Sequence, residues 1–243
     1  MRNKKNSFLV ILLVTILGIF SGCTDNKGAA TVESVIDKMI VEYGGAENLK
    51  KLNSYKTVWD MNAVSKNEKG TDTRYIEIPD KLRVEIVYEK SAEVRILNGE
   101  KGIRAFMEPE KDPVSSWAEG PPLLAMQMQF MRFFSPLVLQ KKKALLTLTE
   151  DKGFNVLTLT EGPIAGNYYI NPETNRIEKF VGKFSMQGRA MEFLTEYSNF
   201  EIFQGVLIHK NEVKYAAGVN TAVLGLKWIG VGATLEEKVF KLE

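Results

Sequence analysis

The sequence predicts an α+β protein built on a curved antiparallel meander of about ten strands. Two observations support the strands. From Tyr55 onward apolar and polar residues alternate over most of the chain, and turn-forming sequences such as Asn98-Gly99 and Asp151-Lys152-Gly153 punctuate the alternation. A third supports the helices. Residues 31–52 and 123–139 leave that two-residue period as helical stretches, and a strand layer of this size must cover its inner face with something.

The chain opens with a basic segment, Arg2, Lys4 and Lys5, followed by an apolar run from Phe8 to Phe20 and then Ser21, Gly22 and Cys23. A charged start, a short apolar core and small residues make a secretory signal, expected at 1–22. FSGC is similar to the lipobox of bacterial lipoproteins, with Phe20 where that motif usually has Leu. The resemblance implies that Cys23 takes a diacylglyceryl group, becomes the new N-terminus and anchors the protein through acyl chains such as palmitate. An ordinary cleaved signal with a free thiol is the alternative. Thr24, not Asp, follows the cysteine. In a diderm host that implies the outer membrane, with the protein facing the periplasm. Residues 23–30 read as a flexible tether and 31–243 as a single domain.

Removing the signal takes away three positive side chains, so the formal charge falls from +2 to −1. A near-neutral domain offers no electrostatic footprint for nucleic acid. Cys23 is the sole cysteine, so no disulfide stabilises the exported domain and its apolar core must suffice.

Thr31 is placed to cap a helix with an apolar stripe of Val32, Val35, Ile36, Met39, Ile40 and Tyr43, ended by Gly44-Gly45. Ala46 to Leu52 reads as a second short helical piece. In the first strand Tyr55, Thr57, Trp59, Met61 and Ala63 share one face. Strand patterns recur at 73–78, 82–88, 94–96 and 103–107. Residues 108–122 are rich in proline and read as irregular chain. Strands resume after Lys141–Lys143 and run to about Val231. The lysine run reads either as a solvated helix end or as a contact for anionic headgroups.

Residues 117–139, WAEGPPLLAMQMQFMRFFSPLVL, are the least ordinary stretch. From Leu123 to Leu139 the strongly polar side chains are Gln127, Gln129 and Arg132, too few for a surface helix. Two readings stand: a buried core helix, or a helix that covers a cavity and touches an apolar ligand. The aromatic residues of the strands pose the same choice between packed core and cavity lining. On the second reading the lining comprises Trp59, Met61, Tyr75, Val84, Ile86, Tyr88, Phe106 and Phe184 from strands, with Met126, Phe130, Met131 and Phe134 from the insertion.

Catalytic raw material is sparse. His209 is the sole histidine and lies in a strand. With Cys23 acylated, no histidine-based metal site and no Cys-His or Ser-His pair can be assembled. Ser185 has glycines nearby but not at nucleophile-elbow spacing. No enzyme activity, cofactor or metal is expected.

The segment IDKMIVEYGGAENLKKLNSYKTVWDM, residues 36–61, resembles the start of the LolA/LolB-like superfamily of periplasmic lipoprotein carriers and lipid-binding lipoproteins. TEYSNFEIFQGVLIHKNEVKY at 195–215 resembles that family's late hairpin, and ATLEEKVFKL at 233–242 its tail. The resemblance implies an incomplete, half-open antiparallel β-barrel with helices across the concave face, and an apolar space that holds acyl chains. The expected function is that of a membrane-anchored periplasmic lipoprotein that binds lipid or lipoprotein acyl chains in outer-membrane traffic, with a protein partner in envelope transport. The alternative is a non-enzymatic accessory lipoprotein that docks a partner protein through the apolar insertion.

Overall fold

The computed structural model describes residues 30–186 and 188–242. The expected signal at 1–22, Cys23 and all of the tether but Ala30 lie outside the described residues.

Helix α1 spans Val32–Glu42. Its start is a capping box: the Ser34 backbone N–H donates to Thr31 Oγ1 at 3.1 Å, and the Thr31 N–H donates to Ser34 Oγ at 2.9 Å. Val35, Ile36 and Met39 are buried, as the stripe predicts. Gly44 ends the helix with φ 101°, and a Cβ there would stand 1.9 Å from the Gly205 carbonyl oxygen. Glycine is what lets the helix end press against that distant turn. Helix α2 is short, Ala46–Leu49, and runs into a 3-10 turn at Lys50–Asn53.

Six strands follow: β1 (Ser54–Ala63), β2 (Glu68–Glu77), β3 (Lys81–Tyr88), β4 (Ala92–Asn98), β5 (Lys101–Met107) and β6 (Val114–Ala118). Helices α3 (Pro121–Met131) and α4 (Pro136–Lys141) interrupt them. Seven more complete the sheet: β7 (Leu146–Asp151), β8 (Phe154–Glu161), β9 (Ile164–Ile170), β10 (Ile177–Met186), β11 (Arg189–Phe203), β12 (Val206–Ala216) and β13 (Val219–Val231). The sheet therefore has 13 strands, not about ten. Part of the difference is β6, inside the proline-rich segment read as irregular. Its prolines, Pro109, Pro113, Pro121 and Pro122, flank Val114–Ala118 without interrupting it. The apolar stretch 123–139 is likewise divided, because Pro136 starts a new helix at its first turn.

The strand order is β6-β5-β4-β3-β2-β1-β13-β12-β11-β10-β9-β8-β7, every pairing antiparallel. First and last strands meet at the β1–β13 seam, and the free edges β6 and β7 flank the helical insertion in sequence. The sheet is open, not a closed barrel.

Helix α3 touches β9 and β10 on one arm of the sheet and β4, β5 and β6 on the other. Strands β4 and β10 are seven ladder steps apart. At ~4.8 Å per step they would lie ~34 Å apart in a flat sheet. A helix is only ~10–12 Å across with its side chains, and the 11 residues of α3 span ~16 Å. The sheet must bend around α3 for both contacts to exist. The approach is close: a Cβ on Gly182 of β10 would stand 2.2 Å from Met128 Sδ.

The main core lies between this bent inner face and the helices. A smaller cluster lies on the other face, where Phe240 of a C-terminal 3-10 turn packs on Ile96 and Ile103.

Candidate functional site

Alternation along β1 sends Thr57, Trp59 and Met61 to the inner face, and alternation along β2 sends Asp72, Arg74 and Ile76 there. Strand β12 contributes Glu212 and Lys214, and α3 ends at Arg132. Four charged groups of this set converge. Arg74, with its side chain 1% exposed, donates from Nη1 and Nη2 to the two carboxylate oxygens of Glu212 at 2.7 and 2.8 Å. It also donates from Nε and Nη2 to the two oxygens of Asp72, both at 2.9 Å. Lys214 Nζ reaches Asp72 Oδ2 at 3.1 Å and Glu212 Oε2 at 3.6 Å. The guanidinium of Arg74 also stands 4.8 Å from the centre of the Trp59 ring.

Burial alone would raise the Asp72 and Glu212 carboxyls. The Arg74 guanidinium outweighs it, aided by Lys214 at both and by Arg132 at Glu212, and holds both below the usual carboxylate range. Burial, with repulsion from Arg74, pushes the Lys214 ammonium down to about 8. The pair of carboxylates is thus ionised and fully engaged.

Arg132 is differently placed. Its Nη1 donates to Thr195 Oγ1 at 3.3 Å and lies 4.0 Å from Glu212 Oε2. Its Nε and Nη2 are buried and have no hydrogen-bond partner among the described residues. The Tyr197 hydroxyl is in the same condition. His209 stacks on Trp59 with ring centres 5.6 Å apart, lies tilted against Tyr197 and approaches Glu212 Oε1 at 3.2 Å. Beside it, Asn199 of β11 adopts φ 56° and falls where the ladder between β11 and β12 skips a pair.

Two cavities adjoin this cluster, and Arg132 lines both. The smaller, about 110 Å³, is bounded by Trp59, Phe133, Phe134 and Tyr197. The larger, about 370 Å³, lies beneath α3, with Met61, Ile86, Met126, Met128, Phe180 and Phe193 among its apolar walls. Its charged lining is Arg95, Arg104, Arg132 and Lys214, with no carboxylate among the described lining residues. Arg95 and Arg104 share one carboxylate, Glu93, at 2.7 and 2.9 Å, and Arg104 Nε is buried without a partner among the described residues. No grouping of three or more His, Cys, Asp or Glu suited to a metal occurs among the described residues.

No protein-family model matches the chain. No curated protein matches it either. Solved structures do. A domain from Vibrio parahaemolyticus described as an outer membrane lipoprotein-sorting protein superposes with a TM-score of 0.52 at 10% identity, covering 86% of this chain and 97% of its own. A LolA superfamily protein from Nitrosomonas europaea superposes with a TM-score of 0.52 at 13% identity, covering 88% of this chain and 98% of its own. The fold is LolA-like. A DUF1329 family protein from Desulfovibrio piger shares it at a TM-score of 0.52 and 10% identity, covering 87% of this chain and 97% of its own.

On this LolA-like sheet the residues expected to line a cavity fall into several groups. Trp59 and Phe134 line the smaller cavity, and Met61, Ile86, Tyr88 and Met126 the larger. Val84, Phe130, Met131 and Phe184 are buried in the main core, where Phe130 meets Phe134 edge-on and Phe184 stacks on Phe193. Phe106 is on the face of Arg104 but largely exposed, beneath that guanidinium. Tyr75 points to the other face of β2, against the Phe240 cluster and under Lys56. The charged cluster itself was not legible. Asp72-x-Arg74 and Glu212-x-Lys214 carry no local mark of burial, and the available signal was their two-residue spacing, which puts the first pair in register with Ile76.

Among the described residues no helix is long and apolar enough to cross a membrane.

Proposed function

We propose that this chain is a periplasm-facing lipoprotein, anchored through an acylated Cys23 after removal of 1–22, that holds acyl chains of lipid or lipoprotein in outer-membrane traffic. The cavity of about 370 Å³ beneath α3 carries the proposal. It is walled by methionine and phenylalanine side chains that adapt to an irregular chain, the usual surroundings of hydrocarbon. Helix α3 acts as its cover, and each methylene that leaves water for this space favours binding by about 0.8 kcal/mol. Residues 31–243 form the carrier and 23–30 its tether. The fold shared with lipoprotein-sorting and LolA superfamily proteins supports the reading. No chemistry is assigned to the site, because Arg74 and Lys214 engage Asp72 and Glu212, and Arg95 and Arg104 engage Glu93. The chain is a carrier, not an enzyme.

The alternative, partner docking through the insertion, has a reduced surface there: Trp117 is exposed and Leu123, Leu124 and Phe133 are half-buried. Met126, Met128, Phe130, Met131, Phe134, Val138 and Leu139 are buried within the protein.

Native mass spectrometry of the purified protein tests the carrier reading. The expected result is a population heavier by the mass of an acyl lipid, which converts to bare protein after organic extraction. Bare protein alone, both as isolated and after incubation with lipid, contradicts it.

A further inference from the structure

The charges around the larger cavity do not balance. Arg74, Arg132 and Lys214 surround two carboxylates, Asp72 and Glu212. Arg95 and Arg104 share the single carboxylate of Glu93. Each cluster is left with one uncompensated positive charge, and none of these three carboxylates lines the cavity, whereas Arg95, Arg104, Arg132 and Lys214 all do. An unpaired buried cation is costly unless something pairs it. Arg132 is the sharpest case. Its side chain is 7% exposed, and two of its three guanidinium nitrogens lack any hydrogen-bond partner among the described residues. Lys214 stands close by: its Nζ lies 3.6 Å, and Arg132 Nη1 4.0 Å, from the same oxygen, Oε2 of Glu212. No more than the sum of those two distances separates them.

We propose that the cavity beneath α3 takes an amphiphile with a negatively charged carboxylate or phosphate head, which Arg132 and Lys214 hold while its hydrocarbon lies along Met61, Met126, Met128 and Phe193. The proposal deepens the carrier reading and rests on it. A planar guanidinium with free donors suits a carboxylate or phosphate oxygen pair, and hydrogen bonds between opposite charges are about twice as strong as neutral ones. The anion supplies hydrogen-bond partners for Nε and Nη2, which the described residues do not give to Arg132. A neutral acyl lipid fills the same space but brings no charge to those two donors.

The test is competition for binding among four probes on the purified full-length protein: myristate, a myristoyl lysophosphatidate, monomyristoylglycerol and inorganic phosphate. Tight binding of myristate or the lysophosphatidate, at least about tenfold stronger than monomyristoylglycerol, is expected from charge-assisted hydrogen bonds. The ratio between those two identifies the head. Inorganic phosphate alone competes poorly, because the chain contributes most of the binding. Arg132→Gln reduces the preference for the anionic probe to below about threefold. Lys214→Gln reduces it in the same direction and serves if the arginine variant does not fold. Binding of both myristate and the lysophosphatidate no tighter than that of monomyristoylglycerol overturns the anionic head while leaving the carrier reading intact. So does inorganic phosphate competing as well as the amphiphiles. Failure of all the acyl probes to bind overturns both readings.

Discussion

Arg74 and Glu212 lie 138 positions apart in the chain and close a two-hydrogen-bond pair of 2.7 and 2.8 Å inside the protein. Their strands, β2 and β12, are three ladder steps apart with the β1–β13 seam between them. That is ~14 Å in a flat sheet. The pair therefore bridges the seam from the inner side, at the place where the first and last strands of the chain meet. Asp72 on one flank and Lys214 on the other complete it.

Breaking this bridge from one side strips two buried carboxylates of all four Arg74 hydrogen bonds. Arg74→Ala should destabilise the protein by about 3–5 kcal/mol, read as a lowered urea midpoint. The double replacement Arg74→Met, Glu212→Gln should be milder than the single one, because it leaves the net charge of the cluster unchanged and Asp72 still paired with Lys214. Equal losses from both would show that the charges are not coupled.

Lys214 makes the stability depend on pH in a defined window. Its ammonium drops from 10.5 to about 8 on folding, so between those values the unfolded chain holds the extra proton and stability rises with pH. The unaltered protein should gain stability relative to Lys214→Met from pH 8 to 10.5 in urea titrations. Parallel curves would contradict the burial of this amine. Asp72 and Glu212 act in the opposite range. Their folded values lie below 3.8 and 4.5, so their contribution is complete above those values and lost as pH falls below them. Arg74→Met should flatten that acid limb.

The seating of α3 rests on a missing side chain. Gly182→Val should cost about 1–3 kcal/mol through overpacking against Met128 and should weaken lipid binding as α3 lifts. Gly225→Ala is the control, since nothing lies within 4 Å of its added carbon. Its effect should stay within about 0.5 kcal/mol. Thermal melts and lipid titrations of the two variants make the comparison.

Much of this fold could be read from residue order, for specific reasons. The stripe Val35, Ile36 and Met39 and the Thr31 cap are local signals, and both are realised in α1. The alternation of Trp59 and Met61 with Asp60 and Asn62 fixed the inner face of β1 correctly. What composition hid was β6, because the flanking prolines mask a strand that they do not interrupt. Tyr75 illustrates a second limit. Apolar character suggests the inside, yet register puts Tyr75 outward and Arg74 inward. Nothing local distinguishes an inward Asp-x-Arg from a solvated one. Only the partner 138 positions away, Glu212, gives those charges a reason to be buried.

The central claim is that hydrocarbon occupies the space between α3 and the bent sheet, and photo-crosslinking measures it most directly. The purified protein is irradiated with a fatty acid carrying a photoreactive group on its chain, and the adducts are located by peptide mass spectrometry. Adducts on peptides containing Met61, Met126 and Met128, which line the larger cavity, are the predicted result. Adducts confined to the exposed side chains of Phe106, Val114 and Trp117, or absent altogether, would contradict the account.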